Sequence, residues 1–155
     1  MSKSSAYTLI EILIVISIIG ILMGVGLVQY RDYARRQALS SATMSMVANL
    51  RLVQEYALSG KKPATGCISL DGYRFKIVPP KYMIHAMCDD VEGPKVGDDI
   101  KVPDDITISP TGEVVFKVLG AGTKLTGDFV IKVTQESTLN YQNITITKDG
   151  KITWQ

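Results

Sequence analysis

The run of residues from Ile12 to Val28 carries no charged side chain and one hydroxyl, that of Ser17, and it restricts the possible folds more than any other feature. A helix from Tyr7 to Val28 would be about 33 Å long, enough to cross a hydrocarbon core of about 30 Å. A chain of 155 residues leaves too little protein to surround such a helix on every side. The sequence therefore predicts a membrane-spanning helix.

A secretory signal peptide is the main alternative, because Lys3 precedes the apolar run. The apolar core of a signal peptide is about 7–15 residues long and ends at a cleavage site with small residues. This run is longer and continues into helix-forming sequence, so we expect the helix to be retained.

The helix is predicted to continue beyond the membrane. Residues 29–59 contain neither glycine nor proline, and Gly60, followed by Pro63, marks the end. Apolar residues recur there at steps of three and four, as expected for one buried face: Leu39, Ala42, Met46, Leu50, Val53 and Ala57.

The remainder of the chain is predicted to form strands. Stretches rich in β-branched and aromatic residues, such as 73–78, 106–108, 114–118 and 129–133, alternate with clusters of glycine, proline and aspartate. Asp149-Gly150 between two such stretches is typical of a type I′ hairpin. We expect an α+β fold, in which an antiparallel β-sheet head covers the apolar face of the helix.

Glu11 is an acidic residue inside the apolar stretch, where an ionised side chain costs a few kcal/mol unless it reaches the interface or a partner. Snorkelling to the interface is one explanation, because Glu11 is about 6 Å along the helix from Tyr7. Pairing with another subunit is the other. The residues themselves favour neither.

The order Ala6-Tyr7-Thr8-Leu9-Ile10-Glu11, followed by ILIVISIIGIL, resembles the prepilin N-terminus of type IV pilins and type II secretion pseudopilins. The resemblance implies that residues 1–6 are a leader, cut by a prepilin peptidase between Ala6 and Tyr7. Glu11 is then the fifth mature residue and would pair with the new amino terminus, usually methylated, of an adjacent subunit. It further implies a transmembrane and polymerisation helix at 7–28, an amphipathic continuation at 29–60 and a β-sheet head at 61–155.

Three positions depart from the family pattern. Ala6 stands where glycine is usual, Tyr7 where phenylalanine or methionine is usual, and Val28 where a proline is often found. Within the family, Ala48–Ala57 and Ile106–Val114 loosely resemble minor pseudopilins of the GspH/FimT kind.

The function implied by the resemblance is that of a pilin, minor pilin or pseudopilin. Its partners would be other pilins in a homo- or hetero-polymer, the prepilin peptidase, an inner-membrane assembly platform and membrane lipid, and no cofactor is expected. The subunit would begin in the inner membrane with its head outside the cytoplasm, and then enter an extracellular pilus or a periplasmic pseudopilus. The alternative is a single-pass anchored module that binds DNA, calcium or an envelope partner without polymerising.

The distribution of positive charge conflicts with that orientation. Arg31, Arg35 and Arg36 follow the apolar run whereas Lys3 precedes it, so the positive-inside rule by itself places the head in the cytoplasm. We adopt the orientation that the resemblance implies.

Cys67 and Cys88 both fall in the predicted head. An even cysteine count on the non-cytoplasmic side is compatible with one disulfide, which would close a loop of about 20 residues and contribute roughly 3 kcal/mol. Two separately buried thiols are the alternative. No metal-binding spacing surrounds either cysteine.

Catalysis and nucleic-acid binding find little support. The only histidine, His85, is expected in or beside a strand, and no catalytic or phosphate-binding motif is present, so we predict that the chain is not an enzyme. A net charge of +2 gives no basic footprint for nucleic acid, and Lys148 with Lys151 is a thin case for DNA.

Three acidic pairs occupy a turn-rich stretch from Asp89 to Asp105, which contains Gly93 and Pro94 and is expected to be a solvated loop. We predict no metal site, and the weak candidates for calcium are Asp98, Asp99, Asp104 and Asp105.

Overall fold

A computed structural model describes residues 8–155, apart from the side chains of residues 25–28. It has one long helix, nine strands and a short 3₁₀ turn at Val118–Gly120 within that range. The bounds are α1 Leu9–Ser59, β1 Leu70–Val78, β2 Lys81–Cys88, β3 Val91–Lys95, β4 Ile100–Lys101, β5 Ile106–Ser109, β6 Gly112–Lys117, β7 Phe129–Gln135, β8 Tyr141–Ile146 and β9 Ile152–Trp154. The predicted α+β architecture is confirmed.

The chain divides into two compact units, of which the first ends at Gln37 and the second comprises Ala38–Gln155. The second unit, called the head here, contains the C-terminal part of α1 and all nine strands.

The helix ends where the sequence predicts, because Gly60 adopts a left-handed conformation with a φ of 62°. The Gly60 N–H donates to the carbonyl oxygen of Ala57 at 3.2 Å, and the Lys61 N–H donates to that of Tyr56 at 3.3 Å. This pair of hydrogen bonds is the Schellman motif, which satisfies carbonyls that the helix itself leaves without donors.

The predicted apolar face of the helix is the buried one. Five of its six residues are 0–5% exposed, and Ala42 is half-buried. Thr43 and Val47 lie on the same face, and the Thr43 hydroxyl donates to the carbonyl oxygen of Leu39 at 3.0 Å. The hydroxyl can therefore be buried without losing a hydrogen bond.

The strands form two antiparallel sheets. The first has the order β3-β2-β1-β6, with β4 also paired to β2, and the second has the order β5-β7-β8-β9. Alternation along a strand indicates which side chains are buried, but not which strand lies next to it. The antiparallel strands expected from the sequence are confirmed, and they are divided between two sheets.

Helix and both sheets share one hydrophobic core in the head. Alternate residues of β1 point into it, namely Tyr73, Phe75 and Ile77, and each is at most 2% exposed. From the second sheet come Ile131, Val133, Ile144 and Ile146, all fully buried.

Two side-chain hydrogen bonds connect α1 to the strands and loops of the head, at different positions along the helix. The Asn49 side-chain amide donates to the Tyr82 hydroxyl at 2.9 Å, and that of Gln54 donates to the carbonyl oxygen of Gly150 at 2.9 Å. Since hydrogen bonds depend on direction as well as distance, these contacts set the rotation of α1 against the strands more strictly than apolar packing alone.

The tight turns differ from the sequence prediction. At Asp149-Gly150 the hairpin is present, but of these two residues only Gly150 has a positive φ, 88°, and its N–H donates to the carbonyl oxygen of Thr147 at 2.9 Å. This is a longer loop than the predicted type I′ turn, which needs positive φ at both central residues. That requirement is met instead by Asp89 and Asp90 between β2 and β3, with φ of 54° and 60°.

Candidate functional site

The first part of α1 presents apolar side chains to its surroundings on every face. Every large apolar residue from Leu9 to Met23 is between 47% and 84% exposed. Among the described residues, α1 is the one helix long and apolar enough to cross a membrane, with a mean hydropathy of 2.7 in its most apolar window. So much exposed apolar surface requires lipid or protein around it.

Thr8 begins the helix. Its side-chain oxygen accepts a hydrogen bond from the Glu11 N–H at 3.3 Å, and its carbonyl oxygen accepts one from the Ile12 N–H at the same distance. Thr8 and Glu11 thus have the spacing of a capping box, in which a threonine N-cap is followed three residues later by glutamate. The three-residue spacing from Thr8 to Glu11 is the signal in the sequence that indicates this N-cap.

Glu11 lies in the first turn of α1 and is exposed. A carboxylate there interacts favourably with the positive end of the helix dipole. Within the described residues, the Glu11 carboxylate makes no hydrogen bond or ion pair. Any positively charged partner of Glu11 is therefore not among the described residues, and it could belong to another subunit.

The other polar or small positions of this segment fit an apolar environment. The Ser17 hydroxyl donates to the carbonyl oxygen of Leu13 at 2.8 Å, so it needs no outside partner. A Cβ atom added at Gly20 or Gly24 would meet nothing within 4 Å. Both glycines therefore leave open space on the helix surface.

The predicted processing site, Ala6 and Tyr7, lies outside the described residues, as does the rest of the predicted leader. Cleavage between Ala6 and Tyr7 stays a prediction.

Cys67 and Cys88 form the predicted disulfide, with 5.3 Å between their Cα atoms. The bond ties the connection after α1 to the end of β2. A Cβ added to Gly93, on the neighbouring strand β3, would lie 2.7 Å from the Cys88 sulfur. Gly93 is thus needed to make room for the disulfide.

The four aspartates proposed as weak calcium candidates do not converge. Asp99 pairs with Lys81 and Lys95, Asp104 with Lys101, and the Asp105 carboxylate accepts hydrogen bonds from Gln135 and Ser137. No group of three or more His, Cys, Asp or Glu residues within residues 8–155 could hold a metal ion. These carboxylates form ion pairs and hydrogen bonds that stabilise the loops around β4 and β5.

His85 lies on β2, as expected, and its Nδ1 is 3.4 Å from a carboxylate oxygen of Glu92. Burial opposes ionisation of Glu92, but the electrostatic influence of His85, a hydrogen bond from Lys76 and the charges of Lys76 and Arg74 outweigh it and lower the pKa of the carboxyl group. Arg74 is 2.7 Å from the same carboxylate. These residues form an ion cluster that connects neighbouring strands of the first sheet, so we interpret it as structural.

We expect the stability of the head to depend on Asp99 in acid. Hydrogen bonds from Lys81 and Lys95 lower the pKa of Asp99 to about 2. Its stabilising contribution is complete above the unfolded pKa of about 3.9, and it is lost as the pH falls from there through about 2. The melting temperature of Asp99→Asn should therefore lie below that of the unaltered chain at neutral pH and approach it near pH 2.

Asp98→Asn is the matched control for this series, because among the described residues Asp98 has no ion-pair partner. It should follow the unaltered chain at every pH. If the melting temperature of Asp99→Asn were below that of the unaltered chain by the same amount at neutral pH and at pH 2, the contacts of Asp99 with Lys81 and Lys95 would not stabilise the head through ionisation.

The fold and the exposed helix define a class of protein in which an apolar N-terminal helix continues into an α+β head. Comparison with known proteins shows which of them this chain resembles. Residues 1–27 match the family described as "Prokaryotic N-terminal methylation motif".

Three relatives illustrate the similarity. The chain is 36% identical over 62 residues to a fimbrial protein of Pseudomonas aeruginosa, covering 40% of each chain. It is 45% identical over 58 residues to the type IV major pilin protein PilE1 of Neisseria gonorrhoeae, covering 37% of this chain and 35% of that one. It is 35% identical over 66 residues to fimbrial protein Q of Moraxella bovis, covering 43% and 42% respectively. No solved structure gives a significant match.

The chain thus spans about two-fifths of the length of the curated relatives that it matches. The similarity to type IV pilins and fimbrial proteins thus covers the methylation motif and about two-fifths of this chain.

Proposed function

We propose that the chain is a pilin, minor pilin or pseudopilin that polymerises through its N-terminal helix into a type IV pilus-like or type II secretion filament. The observation that carries the proposal is the exposed apolar surface of α1 from Leu9 to Met23, in a chain whose first 27 residues match a methylation motif. In the membrane, lipid covers that surface. In a filament, the same segments of neighbouring subunits cover one another.

Processing precedes assembly in this proposal. Prepilin peptidase cuts between Ala6 and Tyr7, the new amino terminus is methylated, and the Glu11 carboxylate of an adjacent subunit pairs with it. An apolar environment strongly disfavours either charge alone, so each incoming subunit is stable only in the register that brings the two together. An assembly platform in the inner membrane would deliver the subunits. The role is structural rather than enzymatic.

The division of labour along the chain follows from the same proposal. Residues 1–6 are the leader, 7–28 anchor and polymerise, 29–60 continue as the amphipathic helix and 61–155 form the β-sheet head. Burial of the helix face from Leu39 to Ala57 under both sheets supports the third assignment.

Mass spectrometry of the protein from native membranes tests the proposal. We expect the mature chain to begin at Tyr7, with the mass of an added methyl group on its amine. A chain that still begins at Met1 would instead favour an anchored binding module that does not polymerise.

The head is proposed to lie outside the cytoplasm, and the Cys67–Cys88 disulfide supports this because such bonds persist in oxidising compartments. Acid quenching of intact cells, followed by maleimide labelling of the denatured protein at neutral pH, should detect no free thiol before reduction and two afterwards. Cys67→Ser supplies a standard with one thiol. Two free thiols before reduction would place the head in the cytoplasm.

A further inference from the structure

A ring of aromatic and basic side chains follows the apolar part of α1, and we call it the collar. It consists of Tyr30, Arg31, Tyr33, Arg35 and Arg36. Tyr30 is 70% and Tyr33 68% exposed, Arg31 and Arg36 are exposed, and Arg35 is half-buried. With Asp32, which lies 4.0 Å from Arg35, the segment has a net charge of +2.

The collar surrounds the helix rather than marking one face. At about 100° per residue, positions 30, 31, 33, 35 and 36 are distributed around the whole axis, within a rise of about 9 Å. A globular partner contacts one side of a helix. A ring of exposed groups at one level instead matches an environment that encloses the helix, such as a bilayer interface.

The length of the apolar segment places the collar at a defined depth. The 20 residues from Leu9 to Val28 rise about 30 Å, which equals the thickness of the hydrocarbon core. The collar begins two residues later and therefore falls at the level of the lipid head groups. Tyrosine concentrates at this level, because its ring is apolar and its hydroxyl is polar. Arginine binds phosphate through two parallel hydrogen bonds.

We propose that the collar binds the phosphate groups of anionic phospholipids on the side of the membrane where the head lies, and so sets the depth of the subunit before assembly. The inference rests on the proposed membrane insertion of α1. It also accounts for the arginines that conflict with the positive-inside rule, since they have a lipid ligand on the head side.

Lipid selectivity of the full chain in nanodiscs tests this proposal. Native mass spectrometry would count the lipids retained from nanodiscs of equal parts phosphatidylcholine and phosphatidylglycerol. The chain should retain phosphatidylglycerol preferentially. The combined variant Arg31→Gln, Arg35→Gln and Arg36→Gln should lose more than about tenfold of that preference, because each basic group near an anionic surface contributes to binding.

Two further variants make the result specific. Lys117→Gln, Lys148→Gln and Lys151→Gln remove the same number of charges from the head and should leave the preference intact. Replacing the three arginines by lysines keeps the charge and should keep most of the preference. An unchanged preference for phosphatidylglycerol in the glutamine variant would overturn the proposal. If cells that express this variant also lost their filaments, the collar would instead serve contacts between subunits. The measurement uses unassembled chain, so its failure leaves the proposed polymerisation standing.

Discussion

Glu11→Gln is expected to reduce the yield of sheared filaments more than tenfold while leaving the head folded. The amide has nearly the size of the carboxylate but no charge, so it cannot neutralise the amino terminus of a neighbouring subunit. Leaving one charge of a buried pair without its partner costs about 3–5 kcal/mol. Glutamine is also accepted at this position of a capping box, so α1 should still begin after Thr8.

Glu55→Gln is the matched control for Glu11, since it removes an exposed carboxylate from the head portion of the same helix. Its filaments should form at normal yield. Normal yield for Glu11→Gln as well would show that the carboxylate acts only as a helix-capping or snorkelling group. Electron microscopy of equal amounts of cells, with immunoblots of the sheared and membrane fractions, makes the comparison.

Leu50→Ala is expected to destabilise the head by about 2–5 kcal/mol, because it removes a large side chain from the shared core and leaves a cavity. Leu50 is fully buried at the centre of the helix face that both sheets cover. Chemical denaturation of the chain in detergent, followed by the fluorescence of Trp154, measures the loss.

Leu52→Ala makes the same chemical change two residues further along α1, where the side chain is 37% exposed. It should cost less than about 1 kcal/mol, since most of the cavity term is absent. Similar losses for both variants would mean that the helix does not pack against the sheets through the face that contains Leu50.

Much of the fold follows from local patterns in the sequence. The spacing from Leu39 to Ala57 identified the buried face because only a helix of 3.6 residues per turn brings those positions together. Gly60 marked the end of the helix because it adopts a positive φ at low cost. Both are properties of neighbouring residues, which the sequence contains directly.

Strand pairing was harder to predict because it depends on residues far apart in the chain. The division into two sheets is one example. Another is β3, which contains Gly93 and Pro94 in a stretch that was expected to be a solvated loop. Proline is tolerated there because β3 is an edge strand, and Gly93 is required beside the Cys88 sulfur. Neither reason is visible until the strands are placed.

Some features of the candidate site likewise follow from the sequence pattern, whereas others do not. Exposure of the apolar helix and the position of Glu11 in its first turn follow from the sequence pattern and appear in the structure. The partner of Glu11 belongs to another molecule in our proposal, so no pattern within one chain can define that contact. The role of Thr8 as N-cap, by contrast, is indicated by its spacing to Glu11 in the sequence.

Cryo-electron microscopy of filaments sheared from native cells would show directly whether the chain polymerises through α1. We predict density for this chain with residues 7–28 packed against the same segments of neighbouring subunits along the filament axis, and with each Glu11 carboxylate beside the amino terminus of Tyr7 in the next subunit. Filaments that lack this chain, while the chain remains in the membrane as separate subunits, would contradict polymerisation through α1.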